Sequence, residues 1–230
     1  MGKWKKWLSA GLFTAMLGTA IIAGPTADVS ANAGNKPYNI ENVSPDAHLA
    51  PSVGDSSSKT SSKAWHKIDG VCYNGSGKKV EGAITRGMDV SEWQGKINWK
   101  EAKKDLDFAF VRISYGTRHL DDYYDYNMTE AEAADVPVGT YVYSLAKTNK
   151  EALAEAQLAI RQMQGHKVSY PVAFDLEDEA TLGTLTRKEI SQIALTFCDE
   201  IRKAGYTPIL YMNLNWYNNF VDWNVLEGSG

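Results

Sequence analysis

Cysteine is nearly absent from this 230-residue chain, which has two, Cys72 and Cys198. They lie far apart and show no metal-like or redox spacing, so neither a zinc site nor a disulfide framework can be read. Cys198 falls among Ile193, Leu195, Phe197 and Ile201 on a helical pattern, which predicts a small buried thiol in preference to a bridge with Cys72. Positive charge is also scarce. With 24 Lys and Arg against 28 Asp and Glu, the net charge is -4 and no basic stripe occurs, which argues against nucleic acid as a partner. A Gly-rich phosphate loop and a G-x-S-x-G elbow are both missing, so nothing points to nucleotide chemistry or a serine nucleophile. His66, His119 and His166 fall in expected turns or loops with no nucleophile partner, which predicts surface histidines. No cofactor or metal is implied.

Long apolar runs are limited to one. Lys3, Lys5 and Lys6 precede an uncharged stretch from Trp7 to Ala23, and Ala31-Asn32-Ala33 offers a cleavage site, so residues 1–33 read as a secretory signal peptide. An uncleaved membrane anchor is the alternative, for which the run is slightly short and is closed by Pro25. The protein is then expected outside the membrane, secreted and monomeric. Residues 34–64 lose hydrophobic periodicity and end in Asp55-Ser56-Ser57-Ser58-Lys59-Thr60-Ser61-Ser62, the composition of a flexible tether.

Beyond residue 83 strands and helices alternate. Apolar runs at 84–90, 108–114, 138–144, 172–177 and 208–212 predict five strands, and helical patterns fall at 100–105, 123–134, 149–164 and 186–204. The last helix opens with the capping box Thr186-Arg187-Lys188-Glu189 and closes at Gly205. Such alternation implies an α/β fold with a parallel sheet, in series a barrel of the TIM type. A closed barrel wants about eight strands. The chain therefore reads as a partial barrel over residues 83–230, incomplete at the C-terminus.

The fourth strand ends as Tyr170-Pro171-Val172-Ala173-Phe174-Asp175-Leu176-Glu177-Asp178. Side chains alternate along a strand, so Asp175 and Glu177 should face one way roughly 7 Å apart, at the end of the sheet where barrels carry chemistry. A carboxylate pair there suits glycosidic bond cleavage. Taken alone, the same run also fits an acidic, solvated loop.

A second segment changes the balance. Arg86-Gly87-Met88-Asp89-Val90-Ser91-Glu92-Trp93-Gln94-Gly95-Lys96-Ile97-Asn98-Trp99 resembles the first strand and loop of glycoside hydrolase family 25 muramidases, D-V-S-x-x-Q-G-x-I-D-W, with Asn98 in place of the usual Asp. The likeness continues through residues 107–112, 138–143 and 171–177 in the family's order, and covers about residues 84–226. It implies a peptidoglycan hydrolase that cleaves the β-1,4 link between N-acetylmuramic acid and N-acetylglucosamine. Glu177 would be general acid and then general base, with its pKa raised. Asp175 would stay ionised and orient the substrate's own acetamido group as nucleophile, and Asp89 would complete the acidic cluster or accept backbone N–H groups. The resemblance also implies a further active-site Asp on a final strand that has no counterpart here.

Tyr141 matches a family tyrosine near the anomeric centre, although any strand tyrosine can be core. Tyr211 and Trp93 are candidates for sugar stacking or for packing, and Arg112 for neutralising the carboxylates. The segment 65–82, with Trp65-His66-Lys67-Ile68-Asp69-Gly70-Val71-Cys72-Tyr73, reads as a β-hairpin and resembles one copy of the repeats in Gram-positive cell-wall-binding modules. A single copy cannot stack on neighbours, which favours packing against the catalytic domain. A noncatalytic wall-binding protein, and a glycosidase acting on another N-acetylhexosamine polymer such as chitin, remain alternative readings.

Overall fold

The computed structural model describes residues 20–23, 66–74 and 77–228. Its strands are β1 (Ala20–Ala23), β2 (His66–Ile68), β3 (Val71–Tyr73), β4 (Thr85–Val90), β5 (Phe108–Tyr115), β6 (His119–Leu120), β7 (Val138–Tyr143), β8 (Val168–Asp175) and β9 (Pro208–Tyr211). The helices are α1 (Trp99–Ala102), α2 (Tyr124–Ala133), α3 (Asn149–Met163), α4 (Glu179–Leu182), α5 (Arg187–Lys203), α6 (Leu214–Asn219) and α7 (Trp223–Gly228). β4, β5, β7, β8 and β9 lie side by side in that order and all pair in parallel. Each parallel pair is linked through at least one helix, as parallel crossovers require. The result is the expected α/β architecture in the form of a curled half-barrel: the strand order runs from β4 to β9 without those two pairing to close a ring.

The two faces of the sheet differ. Outward, Ala109, Val111, Ile113, Val142, Val172 and Phe174 meet the helices in one continuous core. α5 contributes Ile190, Ile193, Ala194, Phe197 and Ile201 from a single stripe, and the Phe197 ring stacks on Phe174 with centroids 4.0 Å apart. The Thr186/Glu189 capping box is formed. α3 presents Ala152, Ala156 and Ala159, small enough to let the helix lie close to the sheet. Inward, Phe108, Phe110 and Ala173 are buried with Tyr141, Tyr170, Ile209 and Tyr211 around them. Phe108 stacks on Tyr170 at 4.8 Å. Two glycines make room for this aromatic floor: a Cβ on Gly87 would overlap the Phe108 ring, and one on Gly139 would lie 2.6 Å from the Pro171 carbonyl and 2.7 Å from the Phe110 ring.

Several boundaries differ from the sequence expectation. β8 begins at Val168, and its pairing with β7 is irregular around Pro171, which has no N–H to give to a ladder. It ends at Asp175, which leaves Glu177 beyond the strand. The short elements β6 and α4 carry too few residues for a periodic pattern to show.

β2 and β3 form an antiparallel pair around Asp69 and Gly70, both at positive φ (49° and 79°), the backbone of a two-residue hairpin turn. Lys67 Nζ donates to both oxygens of Asp107 at 2.9 and 3.0 Å, Asp107 Oδ2 also accepts from Arg86 N at 2.7 Å, and Cys72 is fully buried. The hairpin thus rests on the N-terminal ends of β4 and β5, opposite the end where Asp175 lies. Ala20–Ala23, inside the stretch read as a signal peptide, pairs antiparallel with β4. The remainder of residues 1–65, including the expected tether, lies outside the described residues. Cys72 and Cys198 are both free and buried, and burial pushes the Cys198 thiol up to about 12. Among the described residues no helix is long and apolar enough to cross a membrane, and no cluster of three or more His, Cys, Asp or Glu residues is placed to hold a metal.

Candidate active site

At the C-terminal end of the parallel sheet, each strand delivers a polar side chain. Asp89 comes near the end of β4, Arg112 from β5, Tyr141 and Tyr143 from β7, Asp175 from the end of β8 and Tyr211 from the end of β9. The ladder makes them neighbours, setting Arg112 against Tyr141, Tyr143 against Asp175 and Asp175 against Tyr211. Leu176 is fully buried in the outer core, and Asp175 before it and Glu177 after it both act on the phenols of Tyr143 and Tyr211.

The electrostatics record that convergence. Burial holds the Tyr211 phenol well above its ordinary value, and Glu177, Asp175 and Asp89 all push the same way. Burial also raises Tyr141, with Asp89 the largest charge acting on it and Arg112 opposing. Burial raises the Asp175 carboxyl well above the usual range, Glu177 and Asp89 add to the effect, and Arg112 works against it. That direction runs against the expectation of an Asp175 that stays ionised. Asp175 is the last residue of a strand paired on both sides and is 7% exposed, whereas Glu177 lies past the ladder and is half-buried. Burial therefore weighs most against charge on the deeper carboxyl. Its Oδ1 is buried and has no hydrogen-bond partner among the described residues.

Arg112 reaches the cluster as a held group, not a free counter-charge. Its Nε donates to Asp121 Oδ2 at 2.9 Å, and its Nη2 lies 3.0 Å from Glu92 Oε1 as an ion pair without a well-aligned hydrogen bond. Asp121, whose side chain is fully buried, also accepts from Glu92 N at 2.8 Å and Tyr123 N at 3.0 Å. His119 is at the surface, as expected, and is not isolated there. It lies in β6 with Nε2 2.7 Å from Glu92 Oε2, partnered although 47% of its side chain is exposed. Burial disfavours charge on Glu92, but the His119 hydrogen bond and the Arg112 charge outweigh it and hold that carboxyl below its ordinary range.

The segment after β4 is scaffold as much as site. Ser91 and Gln94 form a capping box around a 3-10 turn at Glu92–Gln94, Asn98 caps α1, and Trp99 is buried with its Nε1 donating to Asn127 Oδ1 at 3.1 Å. This frame carries Trp93 out to 67% exposure at the rim. Tyr115 and Tyr143 stack there with centroids 4.9 Å apart, and Asn213 Nδ2 donates to Glu177 Oε2 at 3.3 Å while its Oδ1 caps α6. Sequence reasoning missed Asp121, Tyr115, Tyr143 and Asn213. The available signal was position alone: Tyr115, Tyr143 and Asn213 lie at or just beyond the C-terminal end of a predicted strand, and Asp121 follows in the loop region after the second.

Residues 88–228 match the sequence profile of glycosyl hydrolases family 25. The chain belongs to that family. Among curated relatives, the family 25 chain is 38% identical to lysozyme M1 of Streptomyces globisporus over 60 residues, 26% of this chain and 20% of that protein. It is 26% identical to YegX of Escherichia coli K12 over 139 residues, 57% of this chain and 49% of the relative, so it spans about half the length of that protein. Two solved structures share the fold. The modular autolysin LytC of Streptococcus pneumoniae aligns with a TM-score of 0.58 at 23% identity, over 67% of this chain and 39% of that one. A family 25 glycosyl hydrolase of Bacillus anthracis aligns with a TM-score of 0.52 at 24% identity, over 59% of this chain and 64% of that one.

Proposed function

We propose that this family 25 protein is a secreted lysozyme that cleaves the β-1,4 bond between N-acetylmuramic acid and N-acetylglucosamine in peptidoglycan, with retention and with the substrate's acetamido group as nucleophile. LytC of Streptococcus pneumoniae has been solved with a synthetic peptidoglycan ligand, which supports the substrate class. The observation that carries the reading is Asp175 Oδ1, a buried carboxyl oxygen without a partner beside a second carboxyl at the mouth of the half-barrel. Such an atom is costly unless a ligand donor meets it.

An acetamido N–H donating to Asp175 favours the ionised form of that carboxyl, which leaves the proton of the pair on Glu177, where the leaving oxygen needs it. Glu177 then protonates the glycosidic oxygen as the C1–O bond breaks, and the acetamido oxygen bonds to C1 to give a cyclic oxazolinium. Water next attacks C1 and surrenders a proton to Glu177, which restores the acid and re-forms the acetamide. Tyr141 and Tyr211, held in their phenol forms, serve as hydrogen-bond donors around the reacting ring, Asp89 adds negative charge opposite the oxocarbenium-like centre, and exposed Trp93 offers an aromatic face to a neighbouring sugar.

Glu177→Gln tests the assignment. Turnover of purified peptidoglycan should fall by at least about 10²-fold while binding to cell walls persists; near-normal turnover would remove Glu177 from the mechanism. Peptidoglycan with de-N-acetylated muramic acid should resist the wild-type protein.

A further inference from the structure

Glu177 lies beyond the last rung of β8, yet a proton donor has to be held to within a fraction of an ångström. On one side its backbone is fixed: Leu176 N donates to Tyr211 O at 2.9 Å and the Leu176 side chain is fully buried. On the other side the chain is fastened through the side chain of Asp178. Asp178 Oδ1 accepts from Thr181 N at 2.8 Å and caps the four-residue helix α4. Asp178 Oδ2 accepts from the phenol of Tyr115 at 3.2 Å, across 63 positions of sequence. Tyr115 is the last residue of β5, and its ring lies against Tyr143 at 4.9 Å with the planes 15° apart. Tyr143 in turn is paired in the ladder with Asp175. A rigid aromatic stack therefore reaches from the sheet to the segment that carries Glu177.

We propose that Tyr115 is a positioning residue for the reaction: its phenol, steadied on Tyr143, clasps Asp178 and so fixes the backbone that aims Glu177 at the glycosidic oxygen. This rests on the lysozyme reading above. Cap and clasp use different oxygens of one carboxylate, so removing the phenol hydroxyl frees the segment on the site side while leaving α4 capped. The stack explains why a tyrosine at the rim, 38% exposed, has a defined orientation. Tyr115→Phe deletes the hydroxyl and keeps the ring.

The test compares wild type, Tyr115→Phe, Asp178→Ala and the double variant on soluble peptidoglycan fragments. Tyr115→Phe should lower kcat about tenfold with KM changed less than about twofold, since misplacement of a catalytic group acts on the chemical step. In the Asp178→Ala background the same change should cost less than about twofold, because the partner is already gone. Amide hydrogen exchange at residues 177–181 should accelerate about fivefold in Tyr115→Phe, while amides of β7 and α5 keep their rates. A wild-type kcat, a loss confined to KM, or an equal loss in both backgrounds would overturn the proposal. Exchange decides independently of turnover. If the wild-type protein cleaves no peptidoglycan, the lysozyme reading fails, and unchanged exchange in Tyr115→Phe is what would sink the clasp.

Discussion

Glu155 offers a measurement on the fold that is independent of the active-site reading. It projects from α3 beneath the end of β7 and is 2% exposed. Oε1 accepts from Leu145 N at 3.0 Å, and Oε2 lies 2.8 Å from Ser144 Oγ. Burial raises its pKa from 4.5 to about 7, the two hydrogen bonds oppose that, and Glu151 adds to it. Burial is what favours the neutral acid, since Leu145 N and Ser144 Oγ both donate to the carboxyl. Between pH 4.5 and about 7 the folded protein thus keeps a proton that the unfolded chain has released. Stability supplied by this group is complete below the unfolded value and is lost as pH rises through the folded one. The displacement corresponds to about 3 kcal/mol. Glu155→Gln presents the same carbonyl and donor without an ionisable proton. Urea unfolding followed by tryptophan fluorescence reads the difference, because Trp99 and Trp216 are almost fully buried. The variant should match wild type near pH 5 and exceed it by about 2–3 kcal/mol near pH 8. Other titrating groups are common to both proteins and cancel in the comparison. A difference that stays constant across this range would refute the reasoning.

Two further outcomes follow from packing and charge. Arg112→Ala leaves the fully buried Asp121 carboxylate without its cation and should destabilise the protein by about 3–5 kcal/mol at neutral pH, read by urea denaturation; a loss below about 1 kcal/mol would mean that the two backbone donors to Asp121 suffice. Gly139→Ala drives a methyl into the Pro171 carbonyl and the Phe110 ring, and because one neighbour is backbone it should cost about 2–3 kcal/mol, so an unchanged melting temperature would show that β8 can give way.

The alternating apolar and helical patterns determined the five parallel strands and their helices, because burial on both faces of a parallel sheet writes itself into the chain as short apolar runs. The helix cap at Thr186 was equally legible, since capping is a local bargain between a side chain and backbone a few residues on. The spacing of Asp175 and Glu177 also foretold two carboxyls close enough to act on each other. Which of the two is the deeper acid was decided only in three dimensions: strand pairing on both sides buries Asp175, while Glu177 escapes the ladder. The same holds for Arg112, whose partners Asp121 and Glu92 stand 9 residues ahead and 20 behind it, and for Tyr115, whose contact with Asp178 spans 63 positions. Contacts of that range leave no period in a single sequence. They arise when parallel strands in register bring their C-terminal ends to one rim, and it is this rim that gathers residues from five strands into a single site.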